Sequence, residues 1–353
     1  MAYTTIAKPS AHFDCPTWTG SSSTTTVSGM GFKPDSIWIK RYDGTGHPVL
    51  NNSSLGTAKN WIPSGNNAVD TTTYVASYTS DGFTLTGGGT DTNENSENYM
   101  ASCWKANGGT TSSNGDGATT STVQANTTSG FSIVNWTGTG GTTTLGHGLG
   151  VAPKLIIAKN NAEADRGVVL TMSTMYESDP ETDNLQFALN GHTLSDQADR
   201  WGDTAPTSSV FTIGGTGMIN GSGNECFAYC WAEIQGFSKF GYYTGNNNTQ
   251  GPFIHCGFRP KWLMIKKRDS AENWNAKSTV VDNGQLANDG ELKRSLKFDD
   301  NSSNTNCTIN VTAHGFQPAT TDAKANGDGN IYWYMAFAEF PSVGTNGTVG
   351  LSI

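Results

Sequence analysis

The chain has 353 residues and a formal net charge of −9; Gly, Ser, Thr and Asn account for 154 positions and aromatics for 10%. No apolar run approaches the roughly 20 residues of a membrane span. With only 21 Lys and Arg the chain lacks the basic stripe of a nucleic-acid binder, and ten Trp with modest charge argue against disorder. Thr and aromatics favour strands while Gly and Asn punctuate turns. The expectation is an all-β protein of three tandem β-sandwich, jelly-roll-like units.

In chain order, Met1 to Ser10 lacks the basic and then apolar pattern of a secretory signal. The first unit is expected over 1–107. It carries Trp18-Thr19-Gly20, a Gly31-to-Pro34 turn, the apolar run Ile37-Trp38-Ile39-Lys40, a strand around Phe83, and an aromatic run from Tyr99 to Trp104. Residues 108–127, almost all Gly, Ser, Thr and Asn, read as a linker or surface loop. The second unit, over 128–236, repeats the pattern with Trp136-Thr137-Gly138, Gly150 to Pro153, Leu155 to Lys159, Phe211 and Phe227 to Trp231. The third, over 237–353, does so with Tyr243-Thr244-Gly245, Gly257 to Pro260, Trp262 to Lys266, Phe316 and Tyr332 to Phe337. The aromatic-to-Pro separations are 16, 17 and 17, and the Phe-to-closing-aromatic separations 21, 20 and 21. Five anchors in matched order and spacing define a domain-sized repeat.

The apolar runs are short and uninterrupted, as in strands covered on both faces. Trp18, Trp136 and Tyr243, with Trp104, Trp231 and Phe337, are expected in the core. The most variable stretches are 51–78, 165–207 and 269–310; they hold the few helix-like segments, such as Gln285 to Leu296. Recognition concentrates in such insertions on a shared scaffold. Each contains one Trp, and Trp61, Trp201 and Trp274 are the candidate ligand-contact residues; the alternative is that each plugs the side of its own sandwich.

The chemistry-bearing residues form no catalytic pattern. None of His12, His47, His147, His192, His255 and His314 recurs in all three copies, so they read as turn or surface histidines. Asp299-Asp300 and the Asp91-to-Glu94 stretch read as solvated loop acids rather than a glycosidase pair. Asn114 to Gly117 and Asn326 to Gly329 lack the spaced ligands of a calcium loop. Cys15, Cys103, Cys226, Cys230, Cys256 and Cys307 never form CxxC and are expected as free buried thiols. No metal, cofactor or catalytic residue is assigned, and the protein is expected to bind rather than catalyse.

The opening Met1 to Ser10, the segments Phe131 to Gly138 and Gly146 to Pro153, Gly251-Pro252-Phe253 with Gly257 to Pro260, and Tyr334 to Glu339 resemble recurring motifs of virion proteins common in marine tailed-phage genomes. The resemblance runs along essentially the whole chain. It implies a non-enzymatic protein of the virion surface, assembled in the host cytoplasm: a tail-fibre or receptor-binding component for host adsorption or, alternatively, a capsid decoration or head-fibre protein. A polysaccharide-degrading tailspike is a weaker fit, since neither a grooved acid pair nor a β-helix repeat is visible. The implied partners are other virion proteins, a host-surface glycan or receptor, and further copies of the chain, a trimer among the options. No nucleic acid and no membrane insertion are expected.

Overall fold

The computed structural model describes residues 4–65, 68–164, 167–171, 183–187, 195–281, 291–302 and 305–341. Over these residues the protein is all-β, with one 3-10 turn at Pro9–Ala11 and single helical turns at Ala198–Trp201 and Gly217–Asn220.

Each copy of the repeat builds a large antiparallel sheet around three strands. An opening strand carries the aromatic-Thr step: Phe13–Asp14 with Thr17–Thr19 in the first copy, Phe131–Thr137 in the second, Ser238–Thr244 in the third. A lysine strand follows the proline turn: Ser36–Arg41, Leu155–Asn160 and Phe258–Lys267. A closing strand, Asn98–Trp104, Glu225–Trp231 or Ile331–Pro341, lies between the other two in every copy. The registers coincide: Trp104 is opposite Ser36, Trp231 opposite Leu155 and Phe337 opposite Trp262. Cys103, Cys230 and Ala336 follow at one matched site, opposite Ile37, Ile156 and Leu263, so a small buried side chain is what this position needs. Pro34 and Pro153 stand two residues before their lysine strands, whereas Pro260 is inside its strand, at a bulge.

Strand alternation explains the uninterrupted apolar runs. Along the closing strands, Met100 and Trp104, then Phe227, Tyr229 and Trp231, then Trp333, Met335 and Phe337 all point into one common core. The intervening residues face three separate interiors, with Tyr99, Ala101 and Cys103 in one, Cys226, Ala228 and Cys230 in another, and Tyr332, Tyr334 and Ala336 in the third. Those interiors are closed by Thr25–Val27, Gly82–Leu85 and Val75–Thr79 in the first copy and by Thr143–Gly146 with Val210–Ile213 in the second. In the third the large sheet itself turns through Glu291–Lys297 and returns along Thr305–Thr312, Gly315–Pro318 and Ile254–His255. The copies are therefore not beads in series. Trp104 lies 4.9 Å from Trp38 of its own copy, 5.9 Å from Trp231 of the second and 5.5 Å from Phe337 of the third, ring centre to ring centre. Stacks and edge contacts of this kind stabilise beyond the area they bury.

The aromatic-Thr-Gly step is held by a buried asparagine that recurs eleven residues before each closing aromatic: Asn93, Asn220 and Asn326. Its Oδ1 accepts the N–H of Ser21 (3.1 Å), Thr139 (3.0 Å) or Asn246 (3.0 Å), the residue after the glycine. Its Nδ2 donates back to the carbonyls of Ser23, Gly141 and Asn248. The glycine is needed because a Cβ on Gly20, Gly138 or Gly245 would meet the carbonyl oxygen after that asparagine at 2.1, 2.0 or 2.3 Å. Two chain segments separated by 72, 81 and 80 residues in the three copies are thereby locked in one geometry.

Three expectations need correction. Residues 108–127 are not a free linker: Ser112–Asn114 and Ser121–Asn126 are strands that extend the second sheet beyond its opening strand. Glu291–Lys297 is a strand rather than helix, because its apolar residues Leu292 and Leu296 fill two different cores; Gln285 to Gly290 lie outside the described residues. Trp18 is only partly buried, stacked on Tyr99 at the sheet rim with its Nε1 donating to the Thr92 carbonyl, whereas the other five anchor aromatics are buried.

Candidate functional site

The three insertion tryptophans do not face solvent. Trp61, Trp201 and Trp274 are 3%, 0% and 4% exposed. Trp61 from the first copy and Trp274 from the third close on Phe187 of the second, at 5.4 and 5.2 Å, and Trp274 Nε1 donates to the Gln186 carbonyl at 3.0 Å. Trp201 packs inside the second copy's own interior. Their placement as ligand contacts is thus corrected: two staple the copies together and one plugs its own core, and the structure does not bring the three into one site. The sequence pattern carried no sign of this, since a Trp flanked by Asn and Asp looks alike at a rim and at an interface.

Other singled-out groups are also spent on structure. His147 is buried, with Nδ1 accepting the Leu149 N–H and Nε2 facing the Thr207 carbonyl. All six cysteines are free and buried. Asn326 belongs to the turn lock described above, and Asn114 pairs with Asp116. Among the described residues no group of three or more His, Cys, Asp or Glu could hold a metal ion, and no helix is long and apolar enough to cross a membrane.

Asp299 is not a solvated loop acid but is fully buried where the third copy's insertion meets the first. Its Oδ1 accepts the Trp274 N–H at 3.0 Å, while Oδ2 has no partner. Burial pushes its carboxyl up to about 7. Lys40 and Lys266, which end the apolar runs, are equally buried, and desolvation draws each down to about 8 against the pull of neighbouring acids. Both ammonium groups are held by carbonyls: Lys40 by Gly46 and Asp300, Lys266 by Lys267 and Ser270. The second copy's Lys159 is held likewise, by Asn160 and Glu163. These lysines tie down the turn after each strand, a structural duty that leaves them closed to a ligand.

Among the described residues, an accessible pair of clefts lies at the junction of the second and third copies. The connector turns tightly, with Phe237 and Ser238 both donating to the Ile234 carbonyl, and leads into the opening strand Ser238–Thr244. This strand is an edge of its sheet. In the second copy the same edge is covered, since Gln124 of the added strand pairs with Ile133, the counterpart of Phe240. In the third no strand among the described residues covers it. Glu233 caps it instead, with Oε2 accepting the Phe240 N–H at 3.3 Å and Oε1 paired with Lys239 at 2.7 Å. A charged cap is a common guard on an exposed edge.

Two adjoining clefts, of about 360 and 280 Å3, share Glu233 and Lys239. The larger continues past Ser238 to His255 and Gly257. The smaller is lined by Lys154, Phe240, Tyr242 and Tyr334. Tyr242 is 41% exposed, and it, Val151 and Phe253 are the large apolar side chains on the surface of the described residues. Lys154 has no carboxylate partner among the described residues, so a chain of net charge −9 presents a locally positive cleft here. A further shallow groove, of about 250 Å3, runs over Thr122, Asn135, Thr137 and Glu225, but Glu225 is already engaged by Lys59 and Asn161. The cleft residues were missed in the sequence because they lie beside the anchors, not on them. The one available signal was the short connector, which marks a close junction.

The protein is thus an all-β scaffold with a surface cleft beside the edge strand of its third sheet. Residues 8–341 match a family described as a domain of unknown function, DUF7483, and the chain belongs to that family. No curated protein sequence matches the chain.

Proposed function

We propose that the protein is a non-enzymatic component of a phage virion surface, built of three sandwich-like units, and that it acts in host adsorption as a tail-fibre or receptor-binding part. The observation that carries this reading is the contrast between repeated and unrepeated parts. The anchors, turn locks and lysines recur and are consumed by packing, whereas the cleft that joins exposed Tyr242 and unpaired Lys154 to the Glu233–Lys239 pair has no counterpart at the matched strand of the second copy, which a further strand covers. Within that cleft Glu233 is spent on Lys239 and on a backbone N–H, an arrangement suited to holding a ligand rather than to proton transfer. The motif resemblance to tailed-phage virion proteins supplies the biological setting. Many copies on one particle would turn modest single-site affinity into firm adsorption.

Capsid decoration is kept as a second reading because the copies close around one core instead of extending in series, a compact shape that also suits a lattice position. Immunogold labelling of particles with antibody to the protein tests both: label at the tail supports adsorption, label over the head supports decoration, and unlabelled particles reject the virion reading.

A further inference from the structure

We infer that the double cleft at the junction of the second and third copies binds an acidic oligosaccharide, with a sugar ring laid on Tyr242 and its anionic group on Lys154. This rests on the receptor-binding reading and names its ligand class and site.

The cleft's charge is the first support. Glu233 and Lys239 neutralise each other at 2.7 Å, which leaves Lys154 as the free charge in a protein that is otherwise acidic. An anionic group is the complementary ligand feature, and a single one, since a polyanion such as nucleic acid would need a basic stripe. The second support is the aromatic. Tyr242 keeps 41% of its surface in water and, with Phe253, is one of two exposed aromatics among the described residues; of the two, it is the one that lines the cleft. Tyrosine offers a flat apolar face and a polar tip, the combination that meets a sugar's C–H face and hydroxyl rim. The third is shape. Two clefts sharing one ion pair, with the exposed His255 at the far end, suit a ligand of more than one ring. The site also rests on strand backbone fixed by the shared core, so it is pre-organised rather than formed on binding. The anion could be a carboxylate, sulfate or phosphate on the sugar; the three share the chemistry that Lys154 reads.

The test uses the full chain and calorimetric titration with tetragalacturonate, its methyl ester as the uncharged counterpart, and sulfated and phosphorylated tetrasaccharides with their unmodified parents. At least one acidic member should bind about tenfold or more tightly than its neutral counterpart. Lys154→Gln should erase that preference, and Tyr242→Ala should weaken the acidic member by about tenfold, with both variants melting at the wild-type temperature. If Tyr242→Ala melts early, Tyr242→Phe keeps the ring and should bind as the wild type does. Failure of every acidic member to outbind its neutral counterpart, or unchanged binding by both variants, overturns the inference. The two readings fail separately: labelled particles without saccharide preference remove the site and leave the virion role, whereas saccharide preference with unlabelled particles keeps the site and removes the role.

Discussion

The second and third copies carry the same opening strand in the same register, yet one edge is covered and the other open. In the second, Ser121–Asn126 pairs along Phe131–Thr137, and Ser112–Asn114 adds a further strand outside it. In the third, no strand among the described residues pairs with the outer side of Ser238–Thr244, and the Glu233 carboxylate, itself paired with Lys239, accepts the Phe240 N–H there. The segment that makes this difference is the Gly-, Ser-, Thr- and Asn-rich stretch after the first copy, which has no counterpart in the short connector before the third. Divergence between copies of a repeat therefore need not sit in the loops that differ most; here it sits where a strand was added to one copy and not to another.

If the repeated parts are scaffold and the open edge is the site, the two classes of residue should respond oppositely to substitution. The largest effect is expected in the common core. Trp104→Ala removes a ring that touches all three copies and should cost about 3–5 kcal/mol in urea unfolding. A cost below about 1 kcal/mol would mean that the copies do not depend on one another. Next come the turn locks. Asn220→Ala strips partners from the Thr139 N–H and from Trp136 Nε1 and should cost about 2–4 kcal/mol. Asn326→Ala should cost a similar amount if the locks are equivalent.

The pH dependence sharpens the same division. The folded carboxyl of Asp299 stands near 7, above its unfolded value of about 3.9. Its favourable contribution is therefore complete below about pH 4 and is lost as pH rises through 7. Lys40 and Lys266 stand near 8, so their penalty persists below that pH and is relieved only toward about 10.5. Together these groups place the least stable point near pH 7–8. Asp299→Asn should melt like the wild type at pH 4 and be more stable at pH 8, by on the order of 1–3 kcal/mol. Equal melting of the two proteins across this range would mean that Asp299 does not titrate as its burial requires. The smallest effect is expected at the site itself. Tyr242→Ala and Glu233→Gln should each change stability by less than about 1 kcal/mol, because the first is exposed and the second loses a surface ion pair. A larger loss at Tyr242 would move it from the site to the scaffold.

Much of this fold was legible in the sequence. The anchors predicted matched strands, and uninterrupted runs such as Leu155 to Lys159 predicted burial on both faces, because a strand with one wet face must alternate. Asn93, Asn220 and Asn326 could have been found by their constant spacing from the closing aromatics, but an asparagine in an Asn-rich chain carries little contrast. The shared core was not legible. Periodicity reports that a face is buried without naming what buries it, so Trp38 and Trp104 looked like residues of one sandwich when their rings pack against all three copies. The same gap misassigned Trp61 and Trp274, whose partners lie in another copy. It also hid the cleft, which lies where no described strand covers Ser238–Thr244, and such a feature leaves no motif.

Hydrogen–deuterium exchange of the full chain, with and without the acidic tetrasaccharide that binds most tightly, tests the central claim most directly. Protection should appear over Glu233 to Thr244 and around Lys154, with no change over Ser121 to Thr137, the covered counterpart of the same edge. Protection at Trp61, Trp201 or Trp274, or over the Thr122–Asn135 groove, would contradict the assignment of the binding role to the open edge.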